Sequence, residues 1–362
     1  MLKNQQIAFN PVSAPVFWWL LLCAIVIYGM ILLGGVTRLT DSGLSMVDWK
    51  PIMGVIPPLS QADWQEMFLK YQQYPEYKKT NFQMTLSEFK PIFMYEYLHR
   101  VLGRIIGLIF FVPLIIFSVR KQIPSALMPR LYGLFILGGL QGLLGWYMVK
   151  SGLVDDPNVS QYRLTSHLGM AILIYSIIIW TLFDLGTDHK HIVSPGIKRT
   201  SLLLSALIFL MILSGGLVAG TRAGIPFPTW PLMGETFIPK ELYTLNPIWL
   251  SAFEDMATIQ FNHRIFAYVL TVLITGFVFM ILRSNVPQFM KYSAMLFLAI
   301  LILQVVLGIS TLLLYIPIPV AAGHQIVAVA LLSISLFLSH CCLHRRKLVM
   351  TPVAYGETKS HL

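Results

Sequence analysis

Four of the nine histidines stand where they could ligate a metal: His99, His167, His263 and His324, each within about a turn of the outer end of an apolar segment. A single imidazole near a membrane interface is ordinarily a satisfied structural residue. Four at one depth, two in each half of the chain, form a pattern. Two imidazoles on facing helices of a four-helix bundle, projecting inward at one level, make a cofactor geometry. With no thiolate or carboxylate to complete a tetrahedral set, they suit haem iron better than zinc. The C-x-x-C-H attachment motif is absent, so such a haem would be held without a covalent link. The expectation is two bis-histidine haem sites, His99 with His167 and His263 with His324. The other histidines, His189, His191, His340, His344 and His361, fall at the opposite end and read as solvated or interfacial.

Charged residues cluster around these positions. Arg100 and Arg264 directly follow their histidines, where a guanidinium could pair with haem propionates facing the outer water layer. Arg104, one turn below Arg100, reads equally well as an interfacial anchor. Glu96 lies three residues before His99 and shares its helix face, whereas Gln260 holds the same offset before His263. A carboxylate at membrane depth is costly and usually functional, and an amide cannot exchange a proton at useful pKa. Proton-coupled chemistry in the first half and a held redox group in the second follow from that difference. A structural ion pair from Glu96 to Arg100 at i+4 is the alternative reading.

The elements that must position these residues are transmembrane helices. Hydrophobic residues make up 56% of the 362 and charged residues only 12%, and mean hydropathy is +0.71. A water-soluble domain carries about a quarter charged residues, so this is a membrane protein. Cys23, Cys341 and Cys342 lie in apolar runs and offer neither a disulfide framework nor a C-x-x-C motif. The net charge of +10 lacks the clustered basic face that nucleic acid would require. Uncharged stretches long enough to cross a bilayer predict eight helices, at 16–37, 96–119, 131–149, 164–183, 200–221, 264–282, 292–314 and 320–343. The last two share one run, with the turn at Pro317-Ile318-Pro319. The start Met1-Leu2-Lys3-Asn4 shows no transit or cleavage signal, so the first span is expected to be retained. With the N-terminus inside, half of the 26 Lys and Arg fall on inner segments, joined there by only Asp184, Asp188 and Glu357 of the 16 acidic residues. Counts of Lys and Arg alone tie between the sides, but the outer ones are spread over two long loops, which inform least. Both termini are therefore expected in the cytoplasm, and the basic balance reads as topology.

The chain is duplicated. Leu33-Gly34-Gly35-Val36, Thr37-Arg38, Gly43, Trp49 and Pro51-Ile52-Met53-Gly54 match Ser214-Gly215-Gly216-Leu217, Thr221-Arg222, Gly224 and Trp230-Pro231-Leu232-Met233-Gly234. His99-Arg100 matches His263-Arg264, and Leu140-Gln141-Gly142-Leu143-Leu144-Gly145 matches Leu303-Gln304-Val305-Val306-Leu307-Gly308. One four-helix unit is used twice in the same orientation, as domains 1–190 and 191–362. In the outer segment 38–92, Ser60-Gln61-Ala62-Asp63 begins a helix. Trp64, Met67, Phe68 and Tyr71 give it one apolar face, resting on the membrane surface or on the bundle mouth. Thr85-Leu86-Ser87-Glu88 is a second capping box, able to start a helix that runs into the second span.

These residues resemble the haem A synthases, over nearly the whole chain. The resemblance rests on Gly34-Gly35-Val36-Thr37-Arg38-Leu39-Thr40, Gly43-Leu44-Ser45, Trp49-Lys50-Pro51 and Glu96-Tyr97-Leu98-His99-Arg100. In the second half it rests on Gly215-Gly216-Leu217-Val218-Ala219-Gly220, Phe261-Asn262-His263-Arg264 and Gly323-His324-Gln325. It implies an all-α integral membrane protein of eight helices in two pseudo-symmetric four-helix bundles. The implied activity is oxidation of the C8 methyl of haem O to a formyl group, giving haem A for cytochrome oxidase. It further implies a permanent haem b on His263 and His324, substrate haem on His99 and His167, and Glu96 as the acid–base candidate. The implied location is the bacterial inner membrane, with the haem sites near the periplasmic face. Haem O synthase and the cytochrome oxidase assembly machinery are the implied partners beside membrane lipid, and a homo-oligomer is allowed. Some members carry a cysteine pair in an outer loop; this chain resembles the cysteine-free proteobacterial and mitochondrial type, which leaves a thiol relay without its cysteines.

Two other classes fit parts of the pattern. A di-haem cytochrome passing quinol electrons across the membrane would need haems at two depths, whereas all four histidines lie at one face. A transporter built on duplicated bundles would place polar groups at the midplane, where these spans are almost entirely apolar.

Overall fold

The computed structural model describes residues 14–48, 56–154, 157–186 and 193–343. The Trp49–Gly54 block, both chain ends and His189, His191, His344 and His361 lie outside the described residues. Among those described the chain is all-α apart from one isolated bridge, Met233 with Thr236.

Eight helices are long and apolar enough to cross a membrane. In the first half they are α1 (Ala14–Leu39), α4 (Leu86–Val119), α5 (Met128–Gly152) and α6 (Gln161–Gly186). The second half contributes α7 (Pro195–Thr221), α9 (Met256–Arg283), α10 (Gln288–Leu313) and α11 (Ile318–Cys342). Short helices α2 (Gln61–Tyr71), α3 (Pro75–Lys79) and α8 (Ser251–Glu254) sit in the connecting segments. Every span runs beyond its apolar stretch at one or both ends, because a helix continues past the hydrocarbon until a cap stops it. Ser194 and Asp255 supply such caps, accepting from the backbone N–H of Ile197 at 3.3 Å and of Thr258 at 2.8 Å. Pro317 caps the start of α11, where the uncharged run was expected to turn.

Within each half the four spans close a ring. α1 packs on α4 and α6, and α5 packs on α4 and α6; α7 packs on α9 and α11, and α10 packs on α9 and α11. The halves meet where α6 crosses α7 and where α11 lies against α1 and α6. This pattern places the first and last helix of each unit in the middle of the molecule. Its core is aliphatic and aromatic, with Leu20, Ile172, Ile274 and Phe297 fully enclosed. The outward faces are also aliphatic, as at Leu108, Ile136, Val272 and Ile302, all more than half exposed. Such a surface is stable only against lipid, where helices satisfy every backbone hydrogen bond internally.

Small residues let the halves approach. A methyl group on Gly220 would sit 2.7 Å from the Gln161 backbone of α6, and one on Gly216 would sit 2.9 Å from Thr165 Oγ1. Gly35 is filled in the same way by Gln325 of α11, whose amide donates to the Ile31 carbonyl at 2.9 Å. At the end of the bundle that carries the long segment 38–92, Asp41 accepts from both Arg38, at 2.9 Å, and Arg222, at 2.8 Å. These two arginines occupy matching places in the repeat, so one carboxylate ties the halves together. At the other end Asp184, buried in α6, accepts from Arg130 at 2.6 Å and lies 3.0 Å from His340 Nε2. His340 is therefore a packed bridging residue, edge-on to Trp180, and not the solvated or interfacial group its position suggested.

Candidate functional site

All four candidate histidines turn inward. Three of them, His167, His263 and His324, lie about two turns inside the N-terminal starts of α6, α9 and α11. His99 lies about four turns inside α4, because that helix projects beyond the bundle before it enters. Each imidazole is laid against a glycine of the neighbouring span. A methyl on Gly34 would stand 3.1 Å from His99 Cε1, on Gly145 2.9 Å from His167, on Gly215 3.5 Å from His263 and on Gly308 2.7 Å from His324. Gly34 matches Gly215 in the repeat, and Gly145 matches Gly308. The glycines of α1 and α7 thus have two jobs: the first of each pair faces a histidine of its own half, and the second faces the other half. His99 on α4 and His167 on α6 lie diagonally across the first ring of spans, as His263 on α9 and His324 on α11 do across the second.

A glutamine accompanies each pair. Gln141 Nε2 donates to the His167 carbonyl at 3.1 Å and lies 3.4 Å from His167 Nε2. Gln304 Nε2 lies 3.3 Å from His324 Nε2. The carbonyl oxygens of both glutamine side chains are buried without a hydrogen-bond partner, as are Nδ1 of His99 and Nδ1 of His167. Buried polar atoms left in that state are rare and call for a partner. Among the described residues no cluster of three or more His, Cys, Asp or Glu could hold a metal ion. The donor set is two imidazoles in each half, with glycines clearing space beside the rings. That fits an iron porphyrin and does not fit zinc. The glutamines were visible in the sequence only as part of a repeated block; their signal was a polar residue at the same place in two apolar spans.

The residues beside the histidines bind the loops at their end of the bundle. Glu96, 3% exposed, accepts from the Ser45 hydroxyl at 2.8 Å, the Met46 backbone N–H at 2.7 Å and the Arg100 guanidinium at 2.5 Å. Arg100 also donates to the carbonyls of Met46, at 2.8 Å, and Asp48, at 3.2 Å. In the second half Gln260 and Arg264 both donate to the Phe227 carbonyl at 3.0 Å, and Arg264 reaches those of Thr229 and Leu232 as well. An i, i+4 pair on the second helix of each unit therefore grips the loop leaving the first. The ion pair of the first half was one of the two readings open for Glu96. Ser45 and Met46 as its partners could not be read from the sequence, since they come from a loop some fifty residues away.

Above the first half sits an aromatic cap. Both Ser60 and Thr85 form complete capping boxes, and α4 starts at Leu86 as the second box predicts. Phe68 and Tyr71 of α2 pack on Phe89, Phe93 and Tyr97 of α4, with Trp64 and Met67 beside them. The apolar face of α2 rests on the projecting end of α4 and not on lipid. Glu76 of α3 is enclosed here, 7% exposed, with one carboxylate oxygen lacking any partner. Burial pushes its carboxyl up to about 8, helped by the negative fields of Glu96 and Asp41 and opposed by a hydrogen bond with Tyr71.

Comparison with known sequences adds an independent line. A family model described as COX15-CtaA, cytochrome oxidase assembly protein, matches residues 17–336. A heme A synthase of Nitrosospira multiformis is 48% identical over 335 residues, covering 91% of this chain and 94% of the relative. A heme A synthase of Paramagnetospirillum magneticum is 45% identical over 338 residues, with the same coverage of 91% and 94%. The human protein named heme A synthase COX15 is 43% identical over 330 residues, covering 88% of this chain and 80% of its own length.

Proposed function

Because the chain belongs to the COX15-CtaA family of cytochrome oxidase assembly proteins, we propose that it is a haem A synthase that oxidises the C8 methyl of haem O to a formyl group. Two successive hydroxylations, each taking an oxygen atom from a donor and passing two electrons to an acceptor that both come from outside the chain, would give a geminal diol, which loses water to leave the aldehyde. The observation that supports this reading is the duplicated pair of inward-facing histidines, each against a glycine and each pair accompanied by a glutamine.

His263 and His324 would hold a resident haem b, which when bound supplies a one-electron redox centre. His99 and His167 would ligate the substrate haem. The chain's own contribution is placement and exclusion. Aliphatic spans keep bulk water from the reacting edge, while the loop clamped by Glu96 and Arg100 closes over the first half. Arg100 and Arg264, each directly after a candidate iron ligand, are the guanidinium groups that would meet propionates. Glu96, which accepts from Ser45, Met46 and Arg100, would be the acid–base group for the protons released as the methyl carbon is oxidised.

Orientation follows the charge bias. The termini would lie in the cytoplasm and the histidine ends near the periplasmic face of the inner membrane. Haem O synthase and the oxidase assembly machinery would supply substrate and take product. Expressing the chain with a haem O source, then extracting the pigments and identifying them by mass, tests the proposal. Haem A in the extract is the expected result; haem O and haem b alone would refute it.

A further inference from the structure

The two histidine pairs differ at the nitrogen that would face away from iron. In the second half both Nδ1 atoms have partners: Ser214 Oγ lies 3.0 Å from His263 Nδ1, and the Gln304 backbone carbonyl lies 3.0 Å from His324 Nδ1. A carbonyl only accepts, so His324 must carry its proton on Nδ1, leaving the Nε2 lone pair for a metal. In the first half neither His99 Nδ1 nor His167 Nδ1 has a partner, although both are buried. The cause at His99 is one residue. Leu33 stands in the repeat where Ser214 stands, immediately before the glycine that receives the ring. The Gln141 and Gln304 amides approach Nε2 at nearly equal distances, 3.4 and 3.3 Å, so they do not distinguish the pairs.

A hydrogen bond from the distal ring nitrogen fixes the tautomer and orientation of a liganding histidine and makes it a stronger donor to the metal. On the proposed reading of two bis-histidine haem sites, we infer that Ser214 is the positioning residue that makes the second half retain its haem, and that Leu33 at the matching place leaves the first half able to release its own. A substrate must arrive and leave as product, and an imidazole with a free Nδ1 rotates and detaches more easily than one tied at both nitrogens. The asymmetry thus separates a resident site from an exchangeable one using the same helix pair and the same glycine.

The test uses the full-length protein in detergent. Its haem is challenged with excess apomyoglobin, and the rate of haem transfer is followed together with the midpoint potential of the low-spin centre. Ser214→Ala should release haem b about 10 to 100 times faster and move the potential positive, since a weaker donor favours the ferrous state. Ser214→Thr, which keeps the hydroxyl, should restore both. Leu33→Ser, titrated with ferric protoporphyrin IX, should bind the second equivalent about 10 to 100 times more tightly. Wild-type release and potential in Ser214→Ala, or an unchanged second affinity in Leu33→Ser, would overturn the inference while leaving the haem sites standing. A wild-type protein with no bis-imidazole spectrum would overturn the reading beneath it as well.

Discussion

The Glu96 carboxylate lies 2.5 Å from the Arg100 guanidinium, one turn further along α4, and both are almost wholly enclosed. Removing one member of such a pair leaves the other buried without its countercharge, which costs about 3–5 kcal/mol. Glu96 lies three residues before His99 and Arg100 directly after it, so any loss of order there reaches the candidate substrate site. Gln260 and Arg264 reproduce the loop grip without an ionisable acceptor.

Glu96→Gln keeps an acceptor for Ser45 and Met46 but removes the charge and the proton-accepting oxygen. The expected outcome is a normal content of the haem held by the second pair, with haem A formation reduced by about a hundredfold or more, measured by pigment extraction after a timed assay. An unchanged yield of haem A would remove Glu96 from acid–base chemistry and leave it as a loop clamp.

His263→Ala should eliminate the resident low-spin haem, read from the absorbance of purified protein. Gly308→Ala should do much the same by packing alone, because the added methyl would stand 2.7 Å from the His324 ring. Normal haem absorbance in either variant contradicts the assignment of the second pair.

Glu76 makes stability of the outer cap depend on pH. Its folded pKa of about 8 lies above the ordinary carboxylate value, so the folded state holds a proton that the unfolded state has lost. The cap is therefore most stable at or below the ordinary carboxylate range and weakens as pH rises toward 8. Limited proteolysis of the 56–85 region should accelerate from pH 5 to pH 8 in the native sequence. Glu76→Gln should flatten that profile; a profile just as steep would assign the dependence to another group.

Two aspartates that join the same halves should differ in weight. Asp184 has a 6% exposed side chain between Arg130 and His340, whereas Asp41 has a 52% exposed one between Arg38 and Arg222. Asp184→Ala should cost about 3–5 kcal/mol and Asp41→Ala less than about 1 kcal/mol. Thermal unfolding in detergent compares them, and equal losses would count against burial as the deciding factor.

How far the sequence reaches is clearest at α4. Its apolar part and its Thr85 capping box were both legible, because hydrocarbon thickness and capping chemistry are local. That Glu96 meets Ser45 and Met46, or that α2 lies on Phe89 and Phe93 instead of on lipid, was not, because those partners are set by how a long loop folds back. His340 shows the reverse error: its position near a helix end suggested water, while a neighbouring helix supplied Asp184.

The sequence by itself determined eight apolar spans long enough to cross a membrane, and its matched blocks pointed to one unit used twice with four histidines at one level. Those features follow from bilayer thickness and from residue types at fixed spacing, which act along the chain. Only the tertiary structure decided which ring rests on which glycine, and that Ser214 partners His263 while Leu33 leaves His99 without an equivalent. Such choices depend on distances of about 3 Å between separate helices, and helix crossing, not sequence spacing, sets those distances.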